Sequence, residues 1–301
     1  MTTAEEAAKT PVRQRGIQAP GYRLPATAHV GRVRLAVSDL ERSVAFYRDV
    51  IGLTVIERQG DLARLGAGEQ VLLELEALPG VQPIHSGKRL GLYHTAFLLP
   101  SREDLSAFVR HLWKQGVRFG AGDHLVSEAL YLVDPDGLEV EVYADRPRET
   151  WTFDGPELQM TTEAVRFAEL PVMPKNAWQG APVGTTVGHV HLYVGDLKAA
   201  ADFYHAGLGL DIMTWRFPGA LFTSAGGYHH HVGLNTWAAA SPIAAETDAR
   251  MLFWELLLPD ADEIERVSAS LRHGGFTEMV GSTGTRTFKD PWGIGVALGS
   301  F

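Results

Sequence analysis

Cysteine is absent from the 301-residue chain, which excludes disulfides, thiolate metal sites and cysteine nucleophiles. No apolar run approaches the roughly 18 residues that a membrane-crossing helix needs. Basic clusters are lacking as well: 27 lysines and arginines face 36 acidic residues, for a formal charge of −9, and both signs are spread along the chain. That balance argues against nucleic acid and anionic membranes as partners. The first residues, MTTAEEAAKTPVRQRG, have no apolar core of the kind a secretory signal carries, so a soluble cytoplasmic protein is expected. The length suits two domains, or four smaller modules sharing their cores.

What the chain does have is repetition. VSDLERSVAFYRDVIGL (Val37 to Leu53) recurs as VGDLKAAADFYHAGLGL (Val194 to Leu210). LLPSREDLSAFVRHLWKQGV, from Leu98, pairs with LLPDADEIERVSASLRHGGF, from Leu257, and DPDGLEVEV, from Asp134, pairs with DPWGIGVAL, from Asp290. The offset is nearly constant, as expected of duplicated structural units. Each unit opens with an alternating apolar strand such as VRLAV or HVHLYV, followed by an amphipathic helix. Leu40, Val44, Phe46, Tyr47 and Val50 have helical spacing and cover one face. Asp39 and Asp196 are placed to cap these helices, and Gly52 and Gly209 to stop them. Short β-rich runs and an Asp-Pro-x-Gly turn complete each unit. The reading is an α+β fold of four βαβββ modules at about 29–78, 90–145, 186–237 and 250–300. Residues 1–28 form a polar N-terminal arm, 29–145 a first domain, 146–185 a linker that wraps the surface or covers a module, and 186–301 a second domain.

The metal-ligand candidates are divided between the halves. His94 and Glu141 lie on predicted strands of the first; His189 and the run His229, His230 and His231 lie in the second. Two histidines and one carboxylate with open positions are the usual cage of a non-haem Fe(II) oxygenase. Strand parity puts His189 with His191 on one face and Glu139 with Glu141 and Tyr143 on another, so parity alone cannot choose within either group. A lone strand histidine is more often a core or surface group than a ligand. His29, His85, His111, His205 and His273 fall in loops or helices and are set aside.

The repeats, with FY late in the first helix and DPDG before the last strand, resemble the vicinal oxygen chelate superfamily, in which paired βαβββ modules curl into a cup around a divalent metal. YHTAFLLPS, DHLVSEALYLVDPDGLEVEVYADRP, GHVHLYVGDL and GGYHHHVGLN resemble, more sharply, extradiol ring-cleaving dioxygenases of the catechol 2,3-dioxygenase type. The resemblance implies two cup-shaped half-barrels, with His94, Glu141 and His189 as metal ligands. It further implies His230 as an active-site acid or base, Tyr131 as a hydrogen-bonding group, and His124 close to another active-site histidine. The implied cofactor is Fe(II), with Mn(II) as the alternative; the implied partners are a catechol-type aromatic diol, O2 and other copies of the chain in a homo-oligomer.

The chain departs from the better-known two-domain members, whose ligands all come from the third and fourth modules. The fourth module here carries Phe253 and Ala297 at the His94 and Glu141 positions, and the first carries Arg32 at the His189 position. Phenyl and methyl groups have no lone pair, and a fixed cation repels a metal. If the second module packs on the third, within one chain or between subunits, the three ligands converge; the first and fourth modules then form a metal-free cup, with Arg32 and Arg34 on a solvated or salt-bridged strand. Phe97, Trp215, Phe222 and Trp237 are candidates for a ring pocket or for ordinary core, and His191 and His229 for surface or supporting groups. Rival readings are a redox-silent isomerase or transferase of the same fold, and a non-catalytic binding protein.

Overall fold

The computed structural model describes residues 15–84, 87–171, 178–281 and 284–301; His85 lies outside them. Module one comprises β1 (His29–Val37), α1 (Leu40–Asp49), β2 (Thr54–Gln59), β3 (Leu62–Ala67) and β4 (Gln70–Ala77). Module two follows with β5 (Gly91–Leu98), α2 (Arg102–Gln115), β6 (Gly120–Asp123), β7 (Ser127–Val133) and β8 (Glu139–Asp145). A short ribbon, β9 (Phe153–Asp154) and β10 (Glu157–Leu158), lies in the connection to module three. That module has β11 (Thr186–Tyr193), α3 (Leu197–Ala201), β12 (Asp211–Thr214), β13 (Ala220–Ser224) and β14 (Val232–Asn235). Module four closes the chain with β15 (Arg250–Leu258), α4 (Ala261–His273), β16 (Glu278–Val280), β17 (Arg286–Lys289) and β18 (Gly295–Ser300).

The same local chemistry starts the four α-helices of the described residues. Side chains of Asp39, Ser101, Asp196 and Asp260 accept from the backbone N–H groups of Arg42, Asp104, Ala199 and Glu263 at 3.0, 3.1, 2.7 and 2.8 Å. Each satisfies an amide that the first helical turn leaves open. After α1, Gly52 adopts φ +89° and Gly209 adopts φ +91° after α3, the left-handed turn that sends the chain into the next strand.

The strands form two curled eight-stranded sheets, ordered β16-β17-β18-β15-β1-β4-β3-β2 and β12-β13-β14-β11-β5-β8-β7-β6. The first joins modules one and four, the second modules two and three. In each, two opening strands meet antiparallel at the centre: β1 with β15, and β5 with β11. The core lies between the sheets. Val33 and Leu35 on β1, and Val190 and Leu192 on β11, are fully buried in it. Residues of opposite parity on the same strands, Arg32 and Arg34 or His189 and His191, face into the concave side of each half-barrel.

Two buried hydrogen bonds tie the sheets together at equivalent places. Tyr47, from the FY pair of α1, donates to Asp134 of module two at 3.2 Å, and Tyr204 of module three donates to Asp290 of module four at 2.8 Å. Asp134 Oδ1 also accepts from the amides of Asp136 (2.9 Å) and Leu138 (2.8 Å), which holds the DPDG turn closed. The two recurring motifs are therefore partners of each other.

The arm and the linker both pack on the second sheet. Ile17 bridges Ile212 on β12, and Arg23 pairs with the buried Asp211. Trp151 and Leu158 of the linker join Val126, Met213 and Tyr228 in a small apolar cluster, and Asp123 bridges Glu163.

Candidate metal centre

Strand register brings the split histidines together. His191 lies opposite His94 across the β11–β5 seam, His189 opposite Ala96, and Ala96 in turn beside Glu141 on β8. His94 Nε2 lies 3.0 Å and His189 Nε2 3.3 Å from Glu141 Oε2. The three ligand atoms all lie within 4.8 Å of one another, and all three residues are buried. Despite the nearby carboxylate, both nitrogens of His94 and of His189 are buried without a well-formed hydrogen bond. Such orphaned polar atoms cost roughly 1–3 kcal/mol each.

A divalent first-row ion fits this arrangement. Bonds of about 2.1 Å place adjacent octahedral ligands roughly 3.0 Å apart, close to the spacings found here. Burial lowers His189 to about 4, leaving a neutral imidazole with a free lone pair. Burial would raise the Glu141 carboxyl, but His189 and His94 beside it hold it well below the ordinary carboxylate range. Neutral imidazoles with one anionic oxygen are the donors that such an ion takes.

The remaining candidates surround the cluster. The rings of His230 and His189 are 4.0 Å apart, and those of Tyr131 and His94 are 5.7 Å apart. Tyr131 lies opposite Glu141 in the β7–β8 register. His124 Nε2 is 2.6 Å from the Tyr131 hydroxyl. A cavity of about 170 Å³ opens over the cluster, lined by Tyr93, His124, Ser127, Tyr131, Met160, Thr162, His191, Phe217, Phe222 and Trp237.

Hydrogen bonds assign the proton positions. His124 Nδ1 faces the Thr161 carbonyl at 2.8 Å and so carries hydrogen, leaving Nε2 to accept from Tyr131. The Tyr131 oxygen thus keeps its lone pairs for the cavity. His229 Nε2 donates to Asp145 at 3.0 Å, so its Nδ1 accepts from His230 Nδ1 at 2.7 Å. His230 is left with a free lone pair on Nε2. Burial, then the neighbouring histidines, holds the His230 imidazolium well below its ordinary range.

The other half-barrel is filled differently. Arg34 lies opposite Phe253, the register occupied by His191 and His94 in the second sheet, and its guanidinium sits 5.0 Å from the phenyl centroid. Glu74, fully buried, accepts salt bridges from Arg34 (2.6 Å), Arg64 (2.9 Å) and Arg32 (3.5 Å). Among the described residues, the His94, Glu141 and His189 group alone gathers three such ligands.

The family model of the Glyoxalase/Bleomycin resistance protein/Dioxygenase superfamily matches residues 28–142 and 186–298. The chain belongs to that superfamily. One superfamily relative, the catechol-2,3-dioxygenase of Bacillus subtilis (strain 168), is 42% identical over 254 residues, covering 83% of this chain and 89% of the relative. The manganese-dependent 2,3-dihydroxybiphenyl 1,2-dioxygenase of Geobacillus genomosp. 3 is 30% identical over 123 residues, covering 39% of this chain and 37% of the relative. Crystal structures share the superfamily fold at low identity. A Bacillus subtilis structure superposes with a TM-score of 0.64 at 15% identity, covering 93% of this chain and 86% of that one. Glyoxalase I from Zea mays gives 0.56 at 16%, covering 90% and 92%.

Of the ring-pocket candidates, Phe222 and Trp237 line the cavity, whereas Phe97 lies in the core between the sheets and Trp215 packs against it. Met160 and Thr162 were not apparent from sequence, because they come from the linker and carry no motif. His229 is fully buried rather than superficial.

Proposed function

We propose that the protein is an extradiol dioxygenase that inserts O2 into the ring of a catechol-type diol, beside the hydroxyl pair, at a mononuclear Fe(II) centre held by His94, Glu141 and His189. The observation that carries this reading is the buried cluster of two partnerless histidines and one carboxylate, in a chain 42% identical to a catechol-2,3-dioxygenase. A redox-active ion held by His94, Glu141 and His189 would supply the electron flow that triplet oxygen needs in order to react with a closed-shell ring.

The protein's own groups prepare the diol. His230 Nε2, with its lone pair free, takes the proton of one hydroxyl. His229 and the Asp145 carboxylate stabilise the charge that this transfer creates, because Asp145 accepts from the far side of His229 at 3.0 Å. Tyr131 accepts a hydrogen bond from the second hydroxyl while its own O–H donates to His124 Nε2, 2.6 Å away. The same His230 returns its proton to the product oxygen. Phe217, Phe222 and Trp237 face the ring and exclude water.

In this reading the duplicated domains, 29–145 and 186–301, each lend one module to the working cup, so the centre lies between modules two and three. The protein acts in the cytoplasm as a homo-oligomer, the latter tested by sedimentation. Anaerobic loading with Fe(II) or Mn(II) in parallel, then mixing with catechol and O2, tests the chemistry. The expected result is a coloured ring-fission product with one O2 consumed per catechol, faster with iron. Faster turnover with manganese would replace the metal assignment; metal bound without oxygen uptake would favour a redox-silent isomerase.

A further inference from the structure

His191 is buried, yet the ligand cluster does not use it. Its ring lies directly over Gly233, its register partner on β14: a Cβ there would meet the ring at 2.8 Å. The backbone thus leaves room for an imidazole at this place. Asn235, fully buried, fixes the ring's hydrogen-bonding state. The amide of Trp237 donates to Asn235 Oδ1 at 3.0 Å, so the Asn235 Nδ2 group must face His191 Nε2, also at 3.0 Å. An N–H group facing Nε2 requires a lone pair there, which places the ring's proton on Nδ1. Among the described residues Nδ1 has no hydrogen-bond partner, and the ring lines the cavity. Its Nδ1–H is therefore open to an acceptor that a ligand in the cavity brings. The ring sits within the aromatic wall, 5.0 Å from Tyr93, 5.6 Å from Phe222 and 5.7 Å from Trp237 by centroid.

We propose that His191 is a substrate-specificity residue, whose Nδ1–H donates to an acceptor atom on a ring substituent of the diol and so favours oxygen-bearing catechols over alkyl ones. This rests on the dioxygenase reading above for the identity of the ligand, but not for the position of the proton.

Two experiments separate the two claims. Long-range ¹H–¹⁵N correlation spectra of the metal-free protein, assigned with His191→Phe, read the tautomer directly. The expected spectrum shows hydrogen on Nδ1 in the wild type and a shift toward the Nε2 tautomer in Asn235→Leu; hydrogen on Nε2 in the wild type overturns the proposal, whatever the enzyme does. The second compares kcat/KM for 3-methoxycatechol and the near-isosteric 3-ethylcatechol in Fe(II)-loaded wild type and His191→Phe. The ratio of methoxy to ethyl is expected to fall about ten-fold, the factor that one ordinary hydrogen bond represents. An unchanged ratio, including an equal loss on both substrates, overturns the substituent contact. Wild-type protein that cleaves neither catechol contradicts the dioxygenase reading instead, and the spectra still decide whether His191 is a donor.

Discussion

At the residue scale, the chemistry depends on a few proton positions and lone pairs. Removing His94, His189 or Glu141 by substitution with Ala is expected to reduce bound metal at least ten-fold with little change in the circular dichroism of the fold, measured by elemental analysis after dialysis. Arg32→Met, at the equivalent position of the other cup, is expected to leave metal content unchanged and to alter stability by less than about 1 kcal/mol, since the side chain is partly exposed and Glu74 keeps Arg34 and Arg64. His230→Phe is expected to lower kcat by about 10²–10⁴-fold with metal retained, the range that general acid–base groups contribute. Loss of metal in that variant would instead make His230 a ligand. That His94, His189 and Glu141 would converge was legible through the resemblance to extradiol dioxygenases, since strand parity alone could not choose them over His191 or Glu139. The roles of His229 and Asn235 were not legible, because each depends on a contact far along the chain, 84 residues for His229 with Asp145 and 44 for Asn235 with His191.

At the scale of elements, the repeated FY and DPxG motifs explain each other. Tyr47 and Tyr204 each cross from one sheet to a turn aspartate in the other, so Tyr47→Phe and Tyr204→Phe should each cost about 1–3 kcal/mol in urea unfolding. Burial raises Asp134 to about 7 and Asp290 to about 6, against the donors that oppose the shift. Between the ordinary aspartate value of about 3.9 and these raised values, the folded chain holds protons that the unfolded chain has released. Their contribution is therefore most favourable below about pH 4 and is lost as pH rises to about 7, at up to roughly 1.4 kcal/mol per unit for each group. Asp134→Asn should flatten the decline of stability measured between about pH 5 and pH 8; a stability rising through that window, unaltered in the variant, would contradict the burial argument. Helix starts were readable from Asp39 and Asp196, which do cap α1 and α3. The linker was readable only as a covering segment: short strands β9 and β10 and the contacts of Met160 and Thr162 with the cavity arise from packing rather than periodicity.

At the scale of the whole molecule, duplication has left two half-barrels with different contents. Each sheet draws one module from each half of the chain, so one concave face gathers histidines and Glu141 while the other gathers arginines around Glu74. The α+β class and the repeated modules were visible as sequence repetition, and the superfamily match covers both halves. The arm was read as merely polar, yet Ile17 and Arg23 fasten it to β12, a contact set by tertiary position alone. The most direct test of the account measures oxygen uptake with catechol by Fe(II)-loaded wild type and Glu141→Gln, alongside bound iron. The account predicts one O2 consumed per ring cleaved in the wild type, and iron and turnover lost together in the variant. Full turnover by Glu141→Gln, or iron bound in the wild type without oxygen uptake on any catechol, would contradict it.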